Sequence, residues 1–202
     1  QLINMLYNVV DIIYIGHIPG EGSLALTGVG VCMPIIMIVT AFAALISSGG
    51  APRASICMGK QDNKSAEQIL GNCFSLQIVV SIVLTVVLLI WNKDLLMAFG
   101  ASKNTLGYAT DYMRIYALGT LFVQLTLGMN AFITAQGFTT TSMVSVLIGA
   151  ICNITLDPVF IFVFNMGVKG AALATVLSQA ISTIWVVVFL SGKKTQLHLQ
   201  KK

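Results

Sequence analysis

The chain has 202 residues, of which 56% are hydrophobic and only 9% charged, and its mean hydropathy is +0.90. Such a composition excludes an ordinary soluble domain and leaves room for five apolar α-helical spans of about 20 residues plus one partial span. The net charge of +4 sits mostly in two clusters, so no extended basic or acidic face suggests a nucleic-acid partner; the partner to expect is the lipid bilayer.

Residues 1–16, QLINMLYNVVDIIYIG, carry neither an initiating Met nor a basic n-region. The expectation is therefore the second half of a helix rather than a natural start or a signal peptide. Asn4, Asn8 and Asp11 recur at spacings of four and three and form a polar stripe on one helical face. Asp11 is either buried against protein or a helix-end carboxylate at the water interface; Ile12, Ile13 and Ile15 beyond it favour burial. GHIPGEGS reads as a turn. A second span is expected from about Leu24 to Ser48, broken in the middle by Pro34 and closed by SSGG. The stretch APRASICMGKQDNKSAEQ, with Arg53, Lys60 and Lys64, reads as an amphipathic connector, and a third span as running from about Ile69 to Trp91.

The next connector, NKDLLMAFGASKNTLGYATDYMR, is long and mixed in charge, with Trp91, Phe99 and Tyr108 placed as interfacial aromatics. A fourth span follows from about Tyr112 to Thr134, containing Gln124 and Asn130, with Gly119 and Gly128 allowing close neighbours. The polar turn QGFTTTS leads into the fifth. After NMGVKG the sixth span runs to about Leu190, and Gly170, Ala174, Ser178 and Ser182 form a small-residue stripe along it that lets another helix approach. Thr175 and Gln179 lie on the adjacent face, where interhelical bonding and a ligand role are equally compatible with their chemistry. Residues 1–190 thus read as one six-helix lobe and 191–202, SGKKTQLHLQKK, as a basic, mobile tail or inter-lobe linker. Seven of the eleven Lys and Arg residues fall in the connectors after the second and sixth spans, which places those connectors in the cytoplasm.

The fifth span carries the chemistry. Within GAICNITLDPVFIFVF, Asn153 and Asp157 are four apart and stack on one helical face inside an apolar run. A carboxylate at the centre of a membrane helix costs roughly 2.5 to 3.5 kcal/mol on insertion scales, so such a residue usually faces the bundle interior on an ion or proton path. Pro158 cannot donate to the carbonyl of Ile154, which predicts a kink and a free acceptor beside the carboxylate. Asn153 and Asp157 offer oxygen ligands for a small cation, or a site that takes up a proton. The four cysteines, Cys32, Cys57, Cys73 and Cys152, are isolated from one another and from histidine at ligand spacing, and read as small core residues. His17 and His198 read as structural. No cofactor is expected.

YNVVDIIYIG, PRASICMGKQD, NITLDPVFIF and GVKGAALATVLSQ, in this order and spacing, resemble the amino-terminal half of the multidrug and toxic compound extrusion (MATE) family over essentially the whole chain. The resemblance implies an all-α membrane bundle that is one lobe of a twelve-helix, two-lobe antiporter, multi-pass in a bacterial plasma membrane. It implies exchange of Na⁺ or H⁺ for cationic or amphipathic drugs and a missing carboxy-terminal six-helix lobe as partner, with no enzymatic activity. Carried over residue by residue, it implies a cation or proton site at Asp11, Asn153, Asp157 and Thr175, with Tyr112, or Tyr116 one turn later, from the fourth helix. Na⁺ would be held at Asp11, Asn153 and Asp157, and proton and Na⁺ would compete there. Two rivals fit less well. A lipid-linked oligosaccharide flippase of the same superfamily would need more Lys and Arg inside the spans to meet a diphosphate. An intramembrane aspartyl protease would need a G-x-G-D segment, whereas Asp157 follows Thr155 and Leu156. A non-transporting subunit, in which Asn153 and Asp157 merely join helices, would gain only about 0.6 kcal/mol per bond, too little to favour keeping a carboxylate there.

Overall fold

The computed structural model describes residues 10–192 together with Thr195 and Leu197. Asn4, Asn8, His198 and the tail lysines lie outside the described residues. A helical stretch, α1, occupies residues 10–16. It is followed by α2 (Gly22–Gly59), α3 (Asn63–Ile90), the short α4 (Asn92–Ala98), α5 (Leu106–Ala135), α6 (Thr139–Pro158), one π-helical turn (Val159–Val163) and α7 (Val168–Ser191). Five helices among the described residues are long and apolar enough to cross a membrane, and the chain is a multi-pass membrane protein.

The local chemistry explains most of the boundaries. Asp62 accepts a hydrogen bond from the Ser65 amide at 3.1 Å and caps α3. Ser102 and Thr105 bond each other's backbone N–H groups at 3.0 and 3.3 Å and turn the chain into α5. Gly137, at φ 87°, takes the left-handed conformation that ends α5.

Four boundaries differ from the sequence expectation. α3 begins at Asn63 rather than near Ile69, inside the expected connector. SSGG does not end the second span: α2 continues through it, and through Pro34 and Pro52, to Gly59. Gly50 has a packing role there, because a Cβ on it would run into Cys73 and Phe132. The fourth span begins at Leu106 rather than near Tyr112, and part of the preceding connector forms α4, held to α5 by Asn92 Nδ2 donating to the Thr110 carbonyl at 3.4 Å. Thr139 to Thr141 belong to α6 and not to a turn. At SSGG and TTT, small or hydroxylated residues read as turn signals, whereas in a bundle they let helix backbones approach and bond.

α5 is the hub. It packs against α2, α3 and α7 and more lightly against α6 and α4, while α6 packs on α7 and α2 on α3. The contacts are close because the residues between backbones are small. A Cβ on Gly28 of α2 would lie 2.9 Å from the Tyr108 Cβ and 3.1 Å from the Thr105 carbonyl oxygen of α5. A Cβ on Gly170 of α7 would lie 2.7 Å from the Phe160 backbone. Hydroxyls stitch the neighbours on: Thr85 of α3 donates to the Ala117 carbonyl at 2.9 Å, and Thr183 of α7 to the Phe122 carbonyl at 3.0 Å.

The apolar core is split in two along α5. One cluster, around Tyr112, Met113 and Tyr116, joins Val29 and Ile35 of α2 to Ile161 and Val168. The other, around Met129, Phe132 and Ile133, joins Ala54, Leu70 and Leu190, and Leu197 inserts into it from beyond α7. The Leu197 amide donates to Gln136 Oε1 at 3.1 Å, so this point of the tail, expected to be mobile, docks on the end of α5. Between the clusters lies a polar waist that includes Gln77, Ser81, Gln124 and Thr126, all buried. Gln124 Nε2 donates to the Val39 carbonyl at 2.6 Å.

Candidate ion-coupling site

The waist opens on one side to the residues singled out in α6. Pro158 has no N–H for the Ile154 carbonyl, and the regular helix ends with it; the chain continues as the π-helical turn, closed by the Phe164 amide on the Val159 carbonyl at 2.9 Å. The break sits one residue after Asp157, which is fully buried, and one turn after Asn153, which is 2% exposed. Asn153 Nδ2 donates to Asp157 Oδ1 at 3.4 Å along the helix face that the spacing predicts.

α1 brings the second carboxylate. Tyr14 packs edge-on against Phe162 of the π-helical turn, with ring centroids 6.3 Å apart and planes at 76°. His17 Nδ1 bonds the Ile13 carbonyl at 2.7 Å at the end of α1. One turn before Tyr14, the half-buried Asp11 meets the side chains of both Asp157 and Asn153. The protein-facing alternative for Asp11 is therefore the geometry observed.

Three side-chain oxygens of these residues have no hydrogen-bond partner: Asp11 Oδ1 and Asp157 Oδ2 on the two carboxylates, and Asn153 Oδ1 on the side of its amide away from Asp157. Among the described residues neither carboxylate pairs with Lys or Arg; the ion pair there, Lys169 with Asp111 at 3.3 Å, joins two exposed side chains. Two carboxyl groups in contact inside a bundle, with no basic partner, need either a shared proton or a cation between them. The donor set suits a hard cation such as Na⁺, for which oxygen is the preferred ligand. No three His, Cys, Asp or Glu side chains come together among the described residues, so such an ion would rest on the two carboxylates, with the Asn153 amide beside them.

The other expected residues lie on the open side of Asp11. A cavity of about 350 Å³ is lined by Asp11, Tyr112, Tyr116 and Thr175 on its polar wall and by Met33 and Met37 of α2 on its apolar wall. Tyr112 bonds Thr175 and lies near Asp11. It also stacks on Tyr116, with centroids 6.3 Å apart and planes at 13°. The structure thus brings both tyrosines to the cavity and Tyr112 to the pair. Thr175 Oγ1 also donates to its own Ala171 carbonyl at 3.0 Å. Asp157 lies behind Asp11 and does not line this cavity, and Asn153 instead lines a second chamber of about 40 Å³. Sequence reasoning expected methionines to line an adaptable cavity without singling out Met33 and Met37, and left Gln179 undecided; Gln179 lines both spaces.

The MatE family profile matches residues 1–159. The chain is 29% identical over 202 residues to the multidrug export protein MepA of Staphylococcus haemolyticus (strain JCSC1435), covering 100% of this chain and 44% of that protein. It is 25% identical over 188 residues to MepA of Staphylococcus aureus (strain NCTC 8325 / PS 47), covering 93% and 41%. A solved inward-facing multidrug resistance MATE family transporter of the MOP superfamily superposes with a TM-score of 0.90 at 26% identity, over 96% of this chain and 44% of that one. An outward-facing structure, likewise of a multidrug resistance MATE family transporter, gives 0.90 at 26% identity over 98% and 44%. The chain therefore spans less than half the length of the relatives it matches. With family profile, relatives and fold in agreement, this chain belongs to the MatE family.

Proposed function

We propose that the chain is the amino-terminal, ion-coupling lobe of a secondary multidrug exporter in a bacterial plasma membrane. Asp11 and Asp157, with Asn153, exchange Na⁺ or H⁺ while the neighbouring cavity takes a small cationic or amphipathic molecule. The observation that carries this reading is the meeting of two carboxylates beside the Asn153 amide inside the membrane bundle, each carboxylate with one oxygen unpartnered. Asp11 both belongs to that group and lines the 350 Å³ cavity, so cargo and coupling ion act on one side chain. A cationic cargo would find the Tyr112 and Tyr116 ring faces and the Asp11 carboxylate on one wall and the adaptable thioethers of Met33 and Met37 on the other.

A carboxy-terminal lobe, corresponding to the length the relatives have beyond this chain, would close the cavity from the facing side. Equal TM-scores of 0.90 against inward- and outward-facing relatives support a lobe that keeps its fold between states. Adjustment would then concentrate at α1 and the π-helical turn, where the charge of the pair changes and the helix ladder is already interrupted.

The test is export by the full-length protein under an imposed Na⁺ or pH gradient. Asp157→Asn keeps the size and most of the hydrogen bonding but removes the ionisable group. Export should fall at least about tenfold with membrane expression near wild type, the scale of a lost 1.4 kcal/mol of coupling. Wild-type export by Asp157→Asn would reduce the residue to a helix contact.

A further inference from the structure

A chamber of about 40 Å³ between α5, α6 and α7 lies beside the cargo cavity, and Leu127 and Gln179 line both spaces. We propose that the chamber holds one buried water molecule that donates to Asn153 Oδ1 and Gln179 Oε1, and that Gln179 acts through this water as a positioning residue for Asp157.

The proposal starts from two acceptors with no donor. Asn153 Oδ1 and Gln179 Oε1 are both buried and unpartnered, and both residues line the chamber. The hydroxyls in the same wall do not supply the missing protons. Ser178 Oγ donates to the Thr175 carbonyl at 2.8 Å, and Ser182 Oγ donates to the Ser145 carbonyl at 2.9 Å. What these hydroxyls turn to the chamber is lone pairs. Two orphaned acceptors call for a donor, and a water molecule brings two O–H groups, one for each amide oxygen. The volume admits it, since a water needs about 10–15 Å³ of cavity and two to four polar partners. It is too small for a drug. A bare cation is the poorer occupant, because no carboxylate lines the chamber to balance its charge.

The consequence reaches Asp157 through the two ends of one amide. With Oδ1 held by the water, the Asn153 Nδ2 must face α6's next turn, where it donates to Asp157 Oδ1. Were the amide reversed, its oxygen would face the carboxylate and the bond would be lost. Gln179 therefore fixes which face Asn153 shows to Asp157 without touching the carboxylate. The importance of this for transport rests on the coupling role proposed for Asp157; the water and the amide orientation do not.

A structure of the full-length protein at a resolution that shows solvent, collected with Tl⁺ present, tests the proposal. Wild type should show one peak without anomalous signal within hydrogen-bond distance of Asn153 Oδ1 and Gln179 Oε1. Gln179→Met, of similar length but without the acceptor, should lose that peak, and Asn153 should move off Asp157. Gln179→Glu, which keeps an oxygen acceptor, should retain both. A dry chamber in wild type, a Tl⁺ peak inside it, or an intact Asn153–Asp157 bond in Gln179→Met would each overturn the proposal. These readouts are independent of export, so they separate its failure from failure of the coupling role, which the Asp157→Asn assay tests.

Discussion

α5 and α3 are similar in length, 30 and 28 residues, yet 61% of the most apolar stretch of α5 is buried and only 17% of that of α3. The mean hydropathies run the other way, 1.4 for α5 and 2.7 for α3. In water the more apolar helix would be the inner one. In a bilayer lipid is as good a solvent for Val and Leu as a protein core, so the apolar helix gains nothing by going inside. Small and polar residues decide the centre, because only there do hydroxyls and amides find partners and backbones come close. α3 accordingly exposes Val79, Ile82, Val83 and Val86, while α5 buries Thr110, Thr120, Gln124, Thr126 and Asn130.

The sharpest way to break this contrast uses two glycines on one helix. Gly28 faces the backbone of α5, and Gly30, two residues on, has nothing within 4 Å of an added Cβ. Gly28→Ala should destabilise the full-length protein by about 1–3 kcal/mol through overpacking. Gly30→Ala should leave it unchanged or slightly more stable. Thermal melts in detergent measure both, and equal effects would remove the distinction between the α5-facing and lipid-facing sides of α2.

Smaller effects are expected where α5 is held by hydroxyls. Thr126 and Thr183 bond through their hydroxyls at 2.8 Å across the α5–α7 contact. Thr126→Val keeps the shape, and the same melts should show a loss of about 0.6 kcal/mol, the average for such bonds in membranes. A loss of several kcal/mol would mean that polar bonding, and not close approach, holds the hub.

The smallest effect belongs to the exposed connector. Hydrogen bonds from the Ser65 side chain and amide hold the Asp62 carboxyl below its usual range. A lowered folded value contributes stability that is complete above the unfolded value of about 3.9 and is lost as pH falls through the folded one. The melting temperatures of wild type and Asp62→Ala should therefore differ slightly at pH 7 and converge as the pH drops below about 4. A difference that persists at low pH would assign the effect to something other than the charged cap.

The same contrast explains what was legible in the sequence. Long apolar runs and the i, i+4 placement of Asn153 and Asp157 follow from helical geometry alone, and the stripe of Gly170, Ala174, Ser178 and Ser182 is buried as expected. The end of α2 was not legible, because SSGG has the composition of a turn and its role depends on Cys73 and Phe132 elsewhere in the chain. The approach of Asp11 to Asp157 spans almost 150 residues, and no local pattern encodes it. The family resemblance, and not spacing, carried Asp11, Thr175 and Tyr112 into one expected site. Gln179 stayed undecided because its role depends on a chamber formed by three helices.

The central claim is that Asp11 and Asp157 work as one site. A double-mutant cycle measures this most directly, with gradient-driven export by the full-length protein as readout and membrane expression matched. Asp11→Asn and Asp157→Asn should each lower the rate by about tenfold, and the double variant should be no slower than the worse single one, because groups in contact couple and their losses do not add. Multiplied losses, about a hundredfold in the double variant, would make the two carboxylates independent and contradict the shared site.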